Sequence, residues 1–167
     1  RCTAANPGPT IAADVTANLP ALGPHLVALA RAIRDRGRAA GRVPAVVFTL
    51  YHDPFPAGAP RCPDVALLDP AQVGYLRTLL GTLNASIRSA LARQPGVAVA
   101  DTSHAMTGPD GHDHRWCSAD PWAYGLSIIS LSDPSSLLSS APFHPTGAGQ
   151  ARFAALVTPV ARKALGR

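Results

Sequence analysis

The chain has 167 residues, a mass of 17.2 kDa and a formal net charge of +5. Its hydrophobic fraction of 47% can form a core, so the sequence favours one domain of about 100–200 residues over a disordered or multidomain chain. No apolar run approaches the roughly 18 residues of a membrane-spanning helix, which excludes a transmembrane segment. Residues 1–7 contain neither an initiator Met nor an intact signal peptide. We therefore expect that an upstream segment has been removed.

The first part of the chain predicts two helices and a strand. Residues 11–19 can form a short helix that ends near Pro20. A longer helix is predicted over 24–36, where apolar residues recur at helical spacing, and Gly37 is expected to end it. The apolar run 45–50 is rich in β-branched and aromatic residues, which is typical of a buried strand.

The second part predicts a further helix, strand and helix. Asp69-Pro70 is a helix start, and that helix is expected to run to about Arg93. Residues 97–100 predict a second buried strand, a long loop covers 104–143, and an amphipathic helix closes the chain over 147–164. This alternation favours an α/β domain with a parallel sheet covered on both faces. Because two parallel strands are rarely a stable sheet, we expect further strands, either unrecognised here or missing from this chain.

The positive charge comes almost entirely from arginine. Five arginines cluster at Arg31, Arg34, Arg36, Arg38 and Arg42. Such a stripe is compatible with a phosphate-binding surface, but it is more typical of a solvated helix face and helix end. We therefore expect no nucleic-acid partner.

His144 is the sharpest candidate for chemistry. Prolines at 142 and 145 stiffen the backbone around it, directly before the last helix. An imidazole held in this way suits a general base, and the alternative is a histidine that only packs at the helix entry.

The segment 144–150, His-Pro-Thr-Gly-Ala-Gly-Gln, resembles the C-terminal His-Pro block of SGNH (GDSL-type) hydrolases, in particular secreted esterases and lipases of actinobacteria. Further pieces resemble that family in the same order: a strand with a Tyr-x-x-x-Phe-Pro turn at 46–56, Leu83-Asn84, a strand with its Asp at 99–103, and the segments 111–117 and 121–122. Each piece is weak, whereas the ordered set is fairly specific and spans roughly residues 10–160.

The resemblance implies a three-layer α/β/α fold and carboxylester hydrolysis through a Ser–His pair, without a cofactor or metal. His144 would be the general base. Many relatives orient this histidine with an Asp three residues earlier, where this chain has Ala141, so the Ala141 carbonyl is the expected partner of the ring. The residues expected to contact an ester or lipid substrate are Trp122, Leu126 and Phe143. The apolar run 123–143 fits either a lid over an acyl chain or an irregular part of the core.

The family's Gly-Asp-Ser nucleophile block has no counterpart in the chain, and no Gly-x-Ser-x-Gly elbow is present. Residues 1–167 are therefore expected to be the C-terminal part of one SGNH-like domain, with the first strands and the serine on a missing or separate N-terminal segment. On its own, the chain is expected to be inactive. The alternative from another class is a non-catalytic binding module that retains part of the fold.

Three cysteines without CxxC spacing favour a structural disulfide, as in exported proteins. The resemblance implies a Cys62–Cys117 pair, with Cys2 linked to the N-terminal companion. We accordingly expect a secreted or cell-envelope location.

Two weaker patterns remain. Asp110 and the run 112–114, His-Asp-His, could form a metal nest, although adjacent side chains on an extended loop point to opposite sides. Asn84-Ala85-Ser86 matches a glycosylation sequon, but within a helix it fits an ordinary surface or buried Asn better.

Overall fold

The computed structural model describes residues 11–56, 70–125 and 143–166. Within these ranges the elements follow in the order α1 (Ile11–Ala39), β1 (Val46–Thr49), α2 (Pro70–Leu91), β2 (Val97–Ala100) and α3 (Gly147–Ala164). The two strands pair in parallel, with Val46 opposite Val97 and Thr49 opposite Ala100. The chain is thus α/β, with a small parallel sheet. The three-layer SGNH arrangement stays a prediction.

Helices α1 and α2 pack against each other and supply the main core. Leu50, Ile87 and Leu91 are buried at its centre, with leucines of α1 and valines of β2 around them. Helix α1 also contacts β1, α2 contacts β2, and α3 contacts both strands. Under α3 a second cluster forms around Ala105, Met106 and Ala123. No helix in the described ranges is long and apolar enough to cross a membrane.

The predicted break between two N-terminal helices is wrong, because α1 continues through Pro20 and Pro24. Proline removes one helical hydrogen bond, and here both prolines lie on the exposed side of the helix. Leu22 and Leu26 on the other side pack on the core without interruption. Packing of this apolar face outweighs the local cost of the prolines.

The arginines of the basic cluster lie on the last turns of α1 and just beyond it. Arg38 forms an exposed ion pair with Asp35 at 2.9 Å, and Arg31, Arg36 and Arg42 are exposed. Exposed pairs of this kind contribute little to stability, about 0–1 kcal/mol.

Asn84 joins α2 to the end of β1. Its side-chain Oδ1 accepts the Tyr51 N–H at 2.9 Å, and its Nδ2 donates to the Tyr51 carbonyl at 2.7 Å. The residue is only 5% exposed, and both polar atoms of its amide are used. The buried-Asn interpretation therefore describes this position, and an attached glycan does not fit it.

Replacing Asn84 by Ala is expected to lower the free energy of unfolding by about 2 kcal/mol. The change leaves the N–H and the carbonyl of Tyr51 without their partners, and each unsatisfied group costs about 1–3 kcal/mol unless water replaces the bond. Urea unfolding followed by circular dichroism measures the change. An N84A chain as stable as the parent would show that water fully replaces the amide.

Candidate active site

The carboxyl ends of the two strands lead into turns that are bonded to each other. The Thr102 hydroxyl donates to the Leu50 carbonyl, and the Asp53 N–H donates to the Ser103 carbonyl at 3.2 Å. In parallel sheets, ligands commonly bind outside this end of the strands. The segment after β1, residues 51–56, is therefore fixed in a position suited to a site.

The segment that carries His144 is held on both sides by a short antiparallel pairing. The Phe143 N–H donates to the Tyr124 carbonyl and the Tyr124 N–H donates to the His144 carbonyl, both at 2.9 Å. The Thr146 N–H then donates to the Trp122 carbonyl at 2.8 Å. These bonds fix the main chain on each side of the imidazole, as a general base requires.

Helix α3 begins directly after this pairing. Thr146 is its N-cap, with extended backbone angles and a side-chain oxygen that accepts the Gly149 N–H at 3.4 Å. Capping of this kind stabilises a helix start by about 1 kcal/mol. The sequence places the start of α3 correctly because Thr146 and the preceding proline both favour it.

His52 connects the turn after β1 to the His144 segment. Its Nε2 lies 2.8 Å from the Phe143 carbonyl oxygen, and its ring meets Phe153 of α3 edge-on, with ring centres 5.2 Å apart. A carbonyl can only accept, so Nε2 carries the proton and donates it. Phe143 has a φ of 66°, in the left-handed region that a residue with a side chain rarely adopts. The His52 bond helps to hold this conformation next to His144.

Burial lowers the pKa of His52 below its ordinary value, and the nearby His144 lowers it further. The hydrogen bond to Phe143 and the charge of Asp53 oppose this effect without cancelling it. His52 is therefore neutral at neutral pH, with its proton on Nε2 and its Nδ1 unprotonated.

We expect acidification to destabilise the chain through His52. Its pKa is lower in the folded state than the unfolded value of 6.5, so the unfolded chain binds more protons between these two pKa values. The stabilisation is complete above about pH 6.5 and is lost as the pH falls toward the folded-state pKa, with a slope of at most about 1.4 kcal/mol per pH unit.

His52→Gln keeps an N–H donor for the Phe143 carbonyl but does not titrate. Urea unfolding of both chains from pH 7.5 to 5 should give a shallower pH dependence for H52Q. The same pH dependence in both chains would rule out His52 as the cause of the loss of stability at low pH.

A cavity of about 350 Å³ opens at the His144 segment. The residues lining it are Tyr51, His52, Pro54, Phe55, Leu80, Phe143, His144 and Pro145. Its wall is mostly carbon, and a volume of this size suits a small-molecule site. The side chain of His144 is exposed at this cavity, and its ring has no hydrogen-bond partner among residues 11–56, 70–125 and 143–166.

This arrangement can bind an apolar group beside an imidazole whose main chain is fixed. The chain matches no protein-family model, no curated protein and no solved structure.

Of the residues predicted to contact the substrate, Phe143 lines the cavity and Trp122 does not. Phe143 lines the cavity and packs with Phe55 and Trp116, with ring centres 5.0 and 5.5 Å away. Trp122 instead stacks on His114, with ring centres 3.7 Å apart, and packs on the cluster beneath α3 rather than on the cavity. Leu126 and Ala141 lie outside the described residues, as does most of the 123–143 run.

Cys117 is disulfide-bonded. It packs beside Phe55, Val73 and Trp116, the cluster that supports one wall of the cavity. Cys62 and Cys2 lie outside the described residues, so the Cys62–Cys117 pairing stays a prediction. The bond ties the loop that follows β2 to another part of the chain.

The carboxylates at the strand ends are engaged in ion pairs. Burial raises the pKa of Asp101, but hydrogen bonds from Ser103 and the ion pair with Arg88 at 2.6 Å outweigh it and hold the pKa below its usual value. Asp53 accepts from Arg77 at 2.9 Å and caps the Phe55 N–H. These two carboxylates therefore stabilise turns.

The two histidines near Asp110 have separate environments. His112 lies 3.4 Å from Asp110 and is largely exposed, whereas His114 is bonded through Nδ1 to the Asp120 carbonyl at 2.8 Å. Within the described part of the chain, no three His, Cys, Asp or Glu side chains come together as metal ligands would.

His52 is the site residue that sequence reasoning missed. Its only signal was its place directly after a buried strand, at the end where α/β folds bind ligands. The hydrogen bond to Phe143 spans 91 positions of the chain, and no local pattern reveals it.

Proposed function

We propose that the chain carries the general-base part of an exported, SGNH-type carboxylester hydrolase. The observation that supports this most is the exposed imidazole of His144 at an apolar cavity, on a segment whose main chain is bonded on both sides. The ordered motif resemblance supports the same reaction. The disulfide at Cys117 supports an oxidising compartment outside the cytosol.

In the proposed reaction, a ring nitrogen of His144 takes the proton from a serine hydroxyl as its oxygen attacks the ester carbonyl carbon. The imidazolium then gives this proton to the leaving alcohol oxygen as the ester bond breaks, which forms the acyl-enzyme. Water attacks the acyl carbon while His144 takes a proton, and the proton returns to the serine as the acid leaves. The serine belongs to the N-terminal companion, and the cavity holds the apolar part of the ester.

His52 acts in this proposal as a positioning residue. It bonds the Phe143 carbonyl and so fixes the residue next to the base. A shift of about 1 Å at a reacting group can cost a factor of 10² in rate, which is why such support matters.

A fluorophosphonate probe tests the proposal, because it reacts covalently with an activated serine. The native preparation is labelled and its intact mass is measured before and after reduction. We expect the label on a second polypeptide that separates from this chain when the Cys2 disulfide is reduced, and no label in the His144→Ala preparation. A label that forms equally without His144 would contradict the assigned base.

One observation favours a non-catalytic binding module as the second candidate. Among the described residues that line the cavity, the only hydroxyl belongs to Tyr51. A native preparation in which no second polypeptide accompanies this chain, and which takes up no phosphonate but still binds an apolar ligand in the cavity, would establish this alternative.

A further inference from the structure

A second apolar depression adjoins the cavity at His144. Its volume is about 470 Å³, and it runs between helices α1 and α2. Its aliphatic side chains come from Val15, Leu19 and Leu22 of α1 and from Leu76, Leu79 and Leu83 of α2. We call this depression the α1–α2 groove.

The groove and the cavity share two side chains. Phe55 and Leu80 line both of them, so the two depressions adjoin at these apolar side chains. A ligand with one end at the imidazole would pass these two side chains to reach the groove.

The lining of the groove selects the chemistry of its ligand. None of its aliphatic side chains is fully buried, so covering them removes apolar surface from water. Among the described residues that line it, Asn18 has the only polar side chain, and this side chain already donates to the Asp14 carbonyl at 2.8 Å. The groove has little with which to satisfy the amide groups of an extended peptide, and unsatisfied amides are costly.

The volume of the groove favours a small apolar ligand over a docked helix. Helices are about 10–12 Å across, and stable protein partners bury about 1,200 Å² or more. A volume of about 470 Å³ lies instead within the usual range of small-molecule sites.

From this geometry we infer that the α1–α2 groove binds the hydrocarbon chain of an acyl group whose carbonyl end lies at His144. The inference rests on the proposed function in placing the carbonyl end at the base, and it adds the substrate class: esters of medium to long unbranched acids.

Binding of free fatty acids to the whole chain tests the inference without any catalysis. Dissociation constants are measured for butyrate, octanoate and laurate by displacement of a fluorescent fatty acid. Each methylene that reaches the groove should tighten binding by about three- to fourfold. Dissociation constants that do not change with chain length, or an absence of binding, would overturn the inference, and so would a groove occupied by another segment of the chain.

Leu80→Trp places a large ring at the junction of cavity and groove. We expect it to weaken laurate binding at least tenfold, and by a larger factor than it weakens butyrate binding, because Leu80 also lines the His144 cavity. The matched control is Leu29→Trp, the same change at a side chain of α1 that is 51% exposed and lies outside the groove, and it should leave both unchanged. Unchanged laurate binding in L80W would contradict the inferred course of the acyl chain from His144 past Leu80 into the groove.

Leu19→Gln is a second variant, at the α1 side of the groove and outside the His144 cavity. It should weaken laurate binding more than octanoate binding. Equal losses of affinity for both would contradict the inferred position of the acyl chain in the groove. Thermal unfolding checks that each variant folds.

The two proposals can fail separately. Length-dependent binding of fatty acids without phosphonate labelling would support the groove and contradict the proposed hydrolysis. Hydrolysis through His144 with no dependence on acyl length would support the proposed hydrolysis and contradict acyl binding in the groove.

Discussion

Replacing His144 by Ala is expected to lower kcat for ester hydrolysis by about 10⁵- to 10⁶-fold in the preparation that reacts with the phosphonate probe. Loss of the base removes proton transfer in both the acylation and deacylation steps, and losses of this size are typical when a serine hydrolase loses its histidine. The residual rate would come from binding and from donors that stabilise the oxyanion. Initial rates on p-nitrophenyl esters measure the effect.

The matched control for this change is His112→Ala. The side chain of His112 is 77% exposed and does not line the cavity, so its removal should leave kcat unchanged. The side chain of His144 is also exposed, and surface changes usually alter stability by no more than about 0.5 kcal/mol. Both variants should therefore unfold at the same temperature as the parent. Activity that survives in H144A would show that another group takes the serine proton.

His52→Gln should have a smaller effect than His144→Ala, because His52 acts on the base through the Phe143 carbonyl. The pH profile separates the two roles. A positioning residue changes the rate at all pH values, whereas loss of the base also removes the ionisation that limits the rate at low pH.

The sequence predicted the elements best where local chemistry and tertiary packing agree. The strand at 97–100 and the helix at 147–164 have the predicted bounds, because a Pro-Gly turn precedes the strand and the Thr146 cap starts the helix. At Pro20 and Pro24 local chemistry and packing conflict. There α1 continues as one helix because its apolar face packs on α2 without interruption. A propensity rule that considers each proline by itself does not include that contact.

The candidate site was predictable only in part. Its histidine could be found because His144 stands in a short motif with stiff neighbours. The partners of this motif could not be found from sequence, because they come from the turn after β1 and from the 122–124 segment, and long-range hydrogen bonds join them. The same holds for Trp122, which stacks on His114 instead of lining the cavity.

The two glycines of the His-Pro-Thr-Gly-Ala-Gly-Gln motif differ in how closely other atoms approach them. Gly149 is buried, and a Cβ added to it would lie 2.2 Å from the Trp122 carbonyl oxygen and 2.9 Å from Cβ of Pro145. The Trp122 carbonyl already accepts the Thr146 N–H. The added methyl group therefore cannot be accommodated unless the start of α3 moves away from the 122–124 segment.

Gly149→Ala is expected to lower the free energy of unfolding by about 3 kcal/mol, at the upper end of the usual cost of overpacking. The displaced helix start also carries the His144 segment with it, so kcat should fall by about 10²-fold even where the variant remains folded. Urea unfolding and ester hydrolysis, measured on the same preparation, report the two effects separately.

Gly147→Ala is the matched control, two residues earlier in the same helical turn. A Cβ at Gly147 meets nothing within 4 Å, and Ala is favoured over Gly within a helix by up to about 1 kcal/mol. G147A should therefore be as stable as the parent or slightly more stable, with unchanged kcat. Equal behaviour of the two variants would show that close contact with the Trp122 carbonyl does not hold the His144 segment in place. A loss confined to G149A would instead tie the geometry of the base to this one contact between helix and loop.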